Sequence, residues 1–194
     1  MKMGDYIREG IREFLRDKSK REIRIKYKGL RMNSAYQWWR YRNPIRMLWT
    51  SFIVEVCRKL PPCGIKNNLY RMIGVKIGKD VTISPDVVLD WLFPELIEID
   101  DGTLIGADAW IVCHSLLIDE IRIGRVKIGK QVMIGSFVCN EPPTIIGDRA
   151  IAGVYTYVNK DLEPDGFYVG IPCTLKKSLK QMNYLKEFNK GLGK

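Results

Sequence analysis

From residue 75 onwards, aliphatic residues recur at every sixth position, and this period restricts the possible folds more than any other feature of the chain. The positions that share a phase are Ile77, Ile83 and Leu89, then Ile99, Ile105, Ile111 and Leu117, then Ile128, Ile134, Ile146, Ala152 and Val158, with Asn140 as the one polar member. Small or turn-forming residues follow at Gly78, Ser84, Gly106, Gly129, Gly135, Gly147 and Gly153. A short fixed period of this kind is typical of a parallel β-helix.

The spacing has a simple physical interpretation. Each unit of about six residues supplies one short strand and one corner, and three units close a triangular coil of about 18 residues. The aliphatic side chain points into the prism, while the small residue after it permits a tight corner. Because the connections are corners rather than helices, such coils wind left-handed, against the usual crossover rule. We therefore predict a mainly β fold, a left-handed parallel β-helix of about five coils, between Ile77 and Val169. Breaks in phase at residues 91–96 and 115–125 predict loops that leave the prism.

The residues before the repeat have a helical pattern. Apolar residues at helical spacing, Tyr6, Ile7, Ile11, Phe14 and Leu15, predict an amphipathic helix within residues 1–30. An aromatic and basic stretch follows at residues 36–42. Pro44 predicts the start of a second helix that runs to about Leu60, and a third is predicted over residues 67–73.

We divide the chain accordingly into three parts: a basic, mostly helical appendage at residues 1–74, a β-helix catalytic domain at residues 75–175 and a C-terminal helix at residues 176–194. Because a stack of coils has open ends, the helices are expected to cap them. The C-terminal helix is predicted over residues 176–188.

Charge is distributed unevenly along the chain. Residues 1–80 contain 20 Lys and Arg against 7 Asp and Glu, a net charge of +13, whereas residues 81–194 contain 12 against 15, so that the whole chain has a net charge of +10. A basic region with interleaved Trp38, Trp39 and Trp49 is compatible with three roles. These are a charged helix packed on the end of the prism, a peripheral contact with an anionic membrane, and binding of nucleic acid. The sequence favours them in that order.

The compartment is inferred from cysteines and hydropathy. The five cysteines form no CxxC pair, and residues 1–28 lack the apolar segment of a secretory signal. The longest apolar stretch, residues 45–57, is interrupted by Arg46 and Glu55 and is too short to cross a bilayer. We expect reduced thiols in a cytoplasmic protein, with membrane contact at most peripheral.

Several segments resemble a known family. Residues 126–135, 146–153 and 158–161 are similar to the closing coils of hexapeptide-repeat acetyltransferases, and residues 168–176 resemble the Gly-x-Pro-Ala-x-x-Lys segment that ends those coils. Residues 94–106 and 111–114 are similar to sugar O-acetyltransferases of this group. The resemblance covers about residues 74–177, and it implies a homotrimer that binds acetyl-CoA in a groove between two prisms and acetylates a hydroxyl of a sugar or a related acceptor.

The resemblance also implies roles for individual residues. His114, the one histidine of the chain, matches the catalytic position, and imidazole suits a general base that acts near pH 7. We assign cofactor contacts to Gly135, Ser136, Gly153, Val154, Lys160 and Lys176, the two lysines facing phosphates unless they are simply solvated. No metal is expected, because the zinc carbonic anhydrases of this fold bind zinc through three histidines and this chain has one.

Two departures from the family pattern bear on the site. Ser115 follows His114 where relatives often have Asp or Glu, so that a backbone carbonyl, Asp119 or Glu120 is expected to orient the ring. The usual Gly-Ala-Gly-Ser is replaced by residues 153–156, in which Tyr155 is bulky. This second change leaves open a non-catalytic alternative, a trimeric β-helix scaffold that displays the basic N-terminal arm.

Overall fold

The structure, a computed structural model, describes residues 3–26 and 34–179. Its helices are α1 (Met3–Arg16), α2 (Pro44–Lys59) and α3 (Gly64–Met72), with 3-10 helices at Ser34–Arg40 and Pro94–Leu96. Its strands are β1 (Glu22–Lys26), β2 (Lys76–Ile77), β3 (Thr82–Ile83), β4 (Val88–Leu89), β5 (Ile97–Ile99), β6 (Leu104–Ile105), β7 (Trp110–Ile111), β8 (His114–Leu116), β9 (Glu120–Gly124), β10 (Val126–Ile128), β11 (Met133–Ile134), β12 (Cys139–Asn140), β13 (Thr144–Ile146), β14 (Ile151–Ala152), β15 (Tyr157–Val158), β16 (Gly166–Val169) and β17 (Thr174–Ser178).

The predicted prism is confirmed, with three parallel ladders as its faces. Face one consists of β2, β5, β10 and β13; face two of β3, β6, β11, β14 and β16; and face three of β4, β7, β12 and β15. Each strand pairs in register with the equivalent strand one coil away, as Ile99 does with Ile77 and Ile128. Four coils are complete, and a fifth begins where Leu162 bridges to Ile146.

The aliphatic residues of the repeat fill the interior of the prism. Ile83, Ile105, Ile134 and Ala152 are fully buried, one above the other on face two. Asn140, the polar member, is also buried, and its side-chain amide binds both backbone groups of Val112, which satisfies its polar atoms. The assignment of Leu117 to the repeat was wrong, because Leu117 lies beyond β8, outside the prism, and is exposed.

The second break in phase, at residues 115–125, contains a hairpin rather than an irregular loop. Its strands β8 and β9 are antiparallel, and β1 pairs along the other edge of β9 to complete a three-stranded sheet. The helix predicted within residues 1–30 is confirmed as α1 but ends at Arg16, and the strand β1 was not predicted. Ile23 and Ile25 alternate with charged residues, a period of two that suits the edge strand which the hairpin requires.

The other helices lie close to their predicted positions. α2 begins at Pro44, with the side chain of Asn43 accepting hydrogen bonds from the backbone N–H groups of Ile45 and Arg46. α3 begins three residues earlier than predicted and is followed by Gly74, whose φ of +113° is readily adopted only by glycine. No helix among the described residues is long and apolar enough to cross a membrane.

The end of the prism is closed differently from our expectation. Residues 174–178, where a C-terminal helix was predicted to begin, form β17, which runs antiparallel to β16 and covers the edge of face two. The N–H and C=O groups at the edge of face two would otherwise be unpaired. A strand pairs with them through backbone hydrogen bonds, which a helix could not do. The rest of the predicted helix lies outside the described residues.

Candidate active site

The candidate site is centred on His114, which is paired with a buried carboxylate. His114 begins β8, just after face three ends in the second coil, and Asp90 follows β4 on the same face of the first coil. The distance from Nδ1 of His114 to Oδ2 of Asp90 is 2.6 Å. Asp90, rather than a backbone carbonyl, Asp119 or Glu120, therefore orients the ring, and our prediction of its partner was wrong.

Asp90 is itself held rigidly by backbone groups. Its Oδ1 accepts hydrogen bonds from the N–H groups of Leu92 and Phe93, both at 2.8 Å, and its Oδ2 accepts one from Cys113 N at 2.6 Å. The first two bonds form an Asx-type turn that starts the loop at residues 91–96. The same carboxylate therefore fixes both the loop and the ring.

Burial and charge act in opposite directions on this pair. Burial of Asp90 by itself would raise its pKa, but His114 and the N–H donors outweigh burial and hold the pKa below its ordinary value. Burial of His114 would lower its pKa, and the adjacent carboxylate raises it above the ordinary value instead. The rings of Trp91 and Phe93 lie edge-on to the imidazole, with centroids 5.9 and 6.2 Å away.

The hydrogen bond to Asp90 determines what His114 can do chemically. A neutral imidazole that donates its Nδ1–H to a carboxylate has its lone pair on Nε2. Among the described residues, Nε2 of His114 has no hydrogen-bond partner, and the side chain remains 11% exposed. The ring is thus arranged to accept a proton from a molecule outside the chain.

Cys113, next to His114 in sequence, is not available as a nucleophile. Its side chain is fully buried, and burial raises the pKa of its thiol well above the ordinary value. Because the thiolate is the reactive form, this environment favours an inert thiol. The five cysteines, all within the described ranges, are free.

The residues assigned to the cofactor lie at other places on the prism. Gly135 and Ser136 follow β11, and Gly153 and Val154 follow β14, so that all four lie at the corner after face two. His114 follows face three. Within one chain, the structure therefore places the candidate base and these four residues at different corners.

The glycines at this corner have a structural reason of their own. A Cβ on Gly135 would lie 2.7 Å from the backbone nitrogen of Val154 one coil away, and one on Gly153 would lie 2.7 Å from a side-chain carbon of Val169. The close approach of successive coils requires glycine at both positions whether or not a cofactor binds there.

Tyr155, the bulky departure from the family pattern, stacks on Phe137. Their rings are parallel, with centroids 4.7 Å apart, and both side chains are exposed. Both residues have positive φ, 57° and 59°, at equivalent corner positions of adjacent coils. The two rings therefore form a flat aromatic surface beside Val154, so that Tyr155 does not fill the interior of the prism.

The two candidate phosphate-binding lysines are exposed and lie on different elements. Lys160 follows β15 at the end of face three, and Lys176 lies on β17 beside face two. Among the described residues, no group of three or more His, Cys, Asp or Glu side chains is arranged to hold a metal ion.

A layer of contacts behind the site was not evident from sequence. Arg42 donates from Nε to the carbonyl of Leu92, forms an ion pair with Glu95 and lies over the ring of Phe93. Thr50 of α2 donates to the carbonyl of Trp91 at 2.6 Å. The N-terminal region thus holds the loop that begins at Asp90. No local sequence pattern indicates such contacts, since they join residues 41 to 53 positions apart.

Comparison with known proteins gives a consistent result. No protein-family model matches the chain. YvoF of Bacillus subtilis (strain 168), an acetyltransferase by name, is 39% identical over 127 residues, which cover 65% of this chain and 73% of YvoF. Galactoside O-acetyltransferase of Escherichia coli (strain K12) is 32% identical over 118 residues, and the match spans half of that protein.

Solved structures show the same fold. The hexapeptide-repeat acetyltransferase VCA0836 of Vibrio cholerae, solved with acetyl coenzyme A, superposes with a TM-score of 0.57 at 20% identity. The superposition covers 71% of this chain and 88% of VCA0836.

Proposed function

The chain belongs to the hexapeptide-repeat acetyltransferases, and we propose that it transfers the acetyl group of acetyl-CoA to a hydroxyl of a saccharide or a related acceptor, with His114 as the general base. The observation on which this proposal rests is the hydrogen bond from His114 to the buried Asp90, which leaves Nε2 free to take a proton. The relationship to a galactoside O-acetyltransferase supports the choice of a sugar hydroxyl.

In the proposed reaction, Nε2 of His114 removes the proton from the acceptor hydroxyl. The acceptor oxygen attacks the thioester carbonyl carbon, the carbon–sulfur bond breaks, and the proton on His114 passes to the sulfur of coenzyme A. Asp90 holds the ring and stabilises the imidazolium that forms between these two proton transfers. Transfer is direct, because the buried thiol of Cys113 offers no second nucleophile.

A homotrimer would bring the separated parts of the site together. His114 and the corner that contains Gly135, Ser136, Gly153 and Val154 are apart within one chain, so that joint action on one acetyl-CoA requires a neighbouring copy. The exposed apolar side chains that point outward from faces two and three support such packing; they include Leu104, Met133 and Trp110.

The surface of the chain offers groups that could bind the parts of a coenzyme A molecule. The long pantetheine arm of coenzyme A needs a flat surface with apolar and backbone polar groups. The aromatic pair Phe137 and Tyr155 and the corner backbone supply such a surface. The phosphates of coenzyme A need cations, and Lys160 and Lys176 are exposed and basic. We assign the acceptor side to the loop at residues 91–96 and to the hairpin formed by β8 and β9, since both adjoin His114.

Release of coenzyme A in the presence of a panel of sugars tests this proposal. We expect His114→Ala to lower the rate by about 10²- to 10⁴-fold, the usual contribution of a general base, while acetyl-CoA still raises the melting temperature. Full activity in His114→Ala would overturn the mechanism.

The same measurements distinguish the non-catalytic scaffold. A wild-type protein that neither releases coenzyme A with any sugar nor shows a thermal shift with acetyl-CoA would favour the scaffold over the enzyme.

A further inference from the structure

Helix α2 presents a second apolar face to the outside of the molecule. Its inner face, with Ile53, Val54 and Cys57, is buried in the core. Its outer face exposes a row of large apolar side chains at helical spacing, which we call the α2 stripe: Ile45, Leu48, Trp49, Phe52 and Val56. A helix with apolar residues on opposite faces needs a partner on each of them.

The α2 stripe is unusual in size and degree of exposure. Ile45, Leu48 and Phe52 are 79%, 66% and 59% exposed, and Trp49 stacks on Phe52 with ring centroids 6.3 Å apart. Scattered exposed apolar residues are ordinary, but a contiguous row of this kind marks a surface that another body covers.

Positive charge surrounds this stripe. A cavity of about 260 Å³ at the start of α2 is lined by Arg8, Arg12, Arg42 and Arg46, of which Arg42 and Arg46 also contact the carboxylate of Glu95. Residues 40–59 contain five Arg and Lys against one Glu. Arg58 and Lys59 pair with Glu55 and Asp86, but the cations at the two ends of the stripe outnumber their acidic partners. The covering body is therefore expected to be apolar at its centre and anionic at its rim.

An anionic lipid bilayer meets these requirements. Aromatic and aliphatic side chains of an amphipathic helix enter the boundary between headgroups and acyl chains, with Trp favoured there, while Arg and Lys bind the lipid phosphates. We propose that the α2 stripe docks this protein on an anionic membrane surface, with lipid phosphates in the arginine-lined cavity. This docking goes beyond acetyl transfer and does not depend on it.

Docking would place the candidate active site close to the membrane. Thr50, on the inner side of α2, binds the backbone of Trp91, whose ring lies 5.9 Å from that of His114. The acceptor would then be a hydroxyl of a membrane-anchored molecule. This consequence, unlike the docking itself, rests on the proposed function.

Vesicle flotation without acetyl-CoA tests the docking separately from catalysis. The full chain is mixed with phosphatidylcholine vesicles that contain or lack about 30% phosphatidylglycerol. This lipid is anionic and therefore attracts clusters of Lys and Arg. We expect binding to the anionic vesicles and a reduction of about tenfold or more in Leu48→Glu/Phe52→Glu. A control of equal charge change, Ile171→Glu/Leu175→Glu, alters two exposed apolar residues outside the stripe and should bind as the wild type does.

The arginine cavity has a test of its own. Arg12→Gln/Arg46→Gln should weaken binding to the anionic vesicles by about fivefold for each arginine lost, whereas Lys79→Gln/Lys130→Gln, with the same loss of charge, should have a smaller effect. Equal weakening in both double variants would contradict phosphate binding in the cavity.

Three outcomes would overturn the docking proposal. The first is that the wild type does not bind anionic vesicles. The second is that Leu48→Glu/Phe52→Glu binds as well as the wild type. The third is a change of oligomeric state in that variant, which would make the α2 stripe an interface between copies.

Discussion

At the scale of single residues, the carboxylate of Asp90 connects the loop at residues 91–96 to the ring of His114. This carboxylate accepts hydrogen bonds from two backbone N–H groups of the loop at residues 91–96, from Cys113 N and from His114. The ring is therefore supported although the residue after His114 is Ser115 and not an acidic residue.

We predict that Asp90→Asn lowers kcat by about 10- to 100-fold and also moves the pH profile, since the proposed general base loses its orienting carboxylate. In the proposed mechanism the base acts only when neutral, so that the rate is expected to rise with pH through the His114 pKa. Asp90 raises that pKa, and without its charge the burial of His114 lowers it. The acidic limb of kcat against pH should therefore move to lower pH.

Asp90 also holds the loop, so that melting temperature and acetyl-CoA binding must be measured for Asp90→Asn as controls. A fall in kcat with an unmoved acidic limb would mean that Asp90 acts on the fold alone and does not set the protonation of His114.

Cys113→Ala should behave differently from Asp90→Asn. Because the thiol is buried and its pKa is raised, we expect activity within about threefold of the wild type and a loss of about 1 kcal/mol in the free energy of unfolding from the small cavity. Steady-state rates and urea unfolding check the two parts. An acetylated Cys113 in quenched reactions would contradict direct transfer.

At the scale of elements, the N-terminal region supports the loop at residues 91–96, which adjoins the candidate base. α2 binds the loop through Thr50, and Arg42, just before α2, binds Leu92 and Glu95. On the other side of His114, β1 extends the sheet formed by β8 and β9. The loop at residues 91–96 and the hairpin formed by β8 and β9 both adjoin the candidate base. Each is thus packed against a part of the chain that precedes the repeat.

The hydrogen bond between α2 and the loop can be removed with little change of shape. Thr50→Val leaves the carbonyl of Trp91 without its donor, which should cost about 1 to 3 kcal/mol in the free energy of unfolding. It should also reduce kcat/KM, because Trp91 lies edge-on to His114. Urea unfolding and steady-state kinetics provide the measurement.

Thr50→Ser is the matched control, because it keeps the hydroxyl. We expect it to retain most of the wild-type kcat/KM. If Thr50→Ser and Thr50→Val lower kcat/KM equally, packing by the threonine methyl group, and not the hydrogen bond, holds the loop.

At the scale of the whole molecule, the three faces of the prism differ in their outer surfaces. Face one carries a charged ladder in which Glu98 binds Lys76 and Lys127. Faces two and three carry exposed apolar residues such as Met133 and Trp110. A charged ladder suits solvent, and apolar faces suit packing against other copies.

We predict a mass in solution of three times the 22.5 kDa of one chain, measured by light scattering. Met133→Glu, which puts a charge on the outer surface of face two, should shift the protein towards monomer and lower activity with it. Ile145→Glu makes a similar change at an outward position of face one and should leave the assembly intact. A monomeric wild type with full activity would contradict a site shared between copies.

The sequence by itself determined the prism and its candidate base. The period of six is local, because each strand and corner is built from adjacent residues, and repetition stacks identical units whatever the rest of the chain does. The same local reasoning predicted that residues 91–96 and 115–125 leave the prism and that Pro44 begins a helix. His114 was identifiable because it is the one imidazole and because it lies three positions after Ile111.

Only the tertiary structure decided how the site is held together. Asp90 and His114 are 24 residues apart in the sequence but in contact in the structure. This sequence separation includes the loop at residues 91–96, so the period of six does not predict the contact. The pairing of β1 with β9, and of β17 with β16, was likewise invisible, because an edge strand forms only where another edge lies unpaired. Contacts of this kind depend on which surfaces meet in space, and short-range patterns in a sequence do not contain that information.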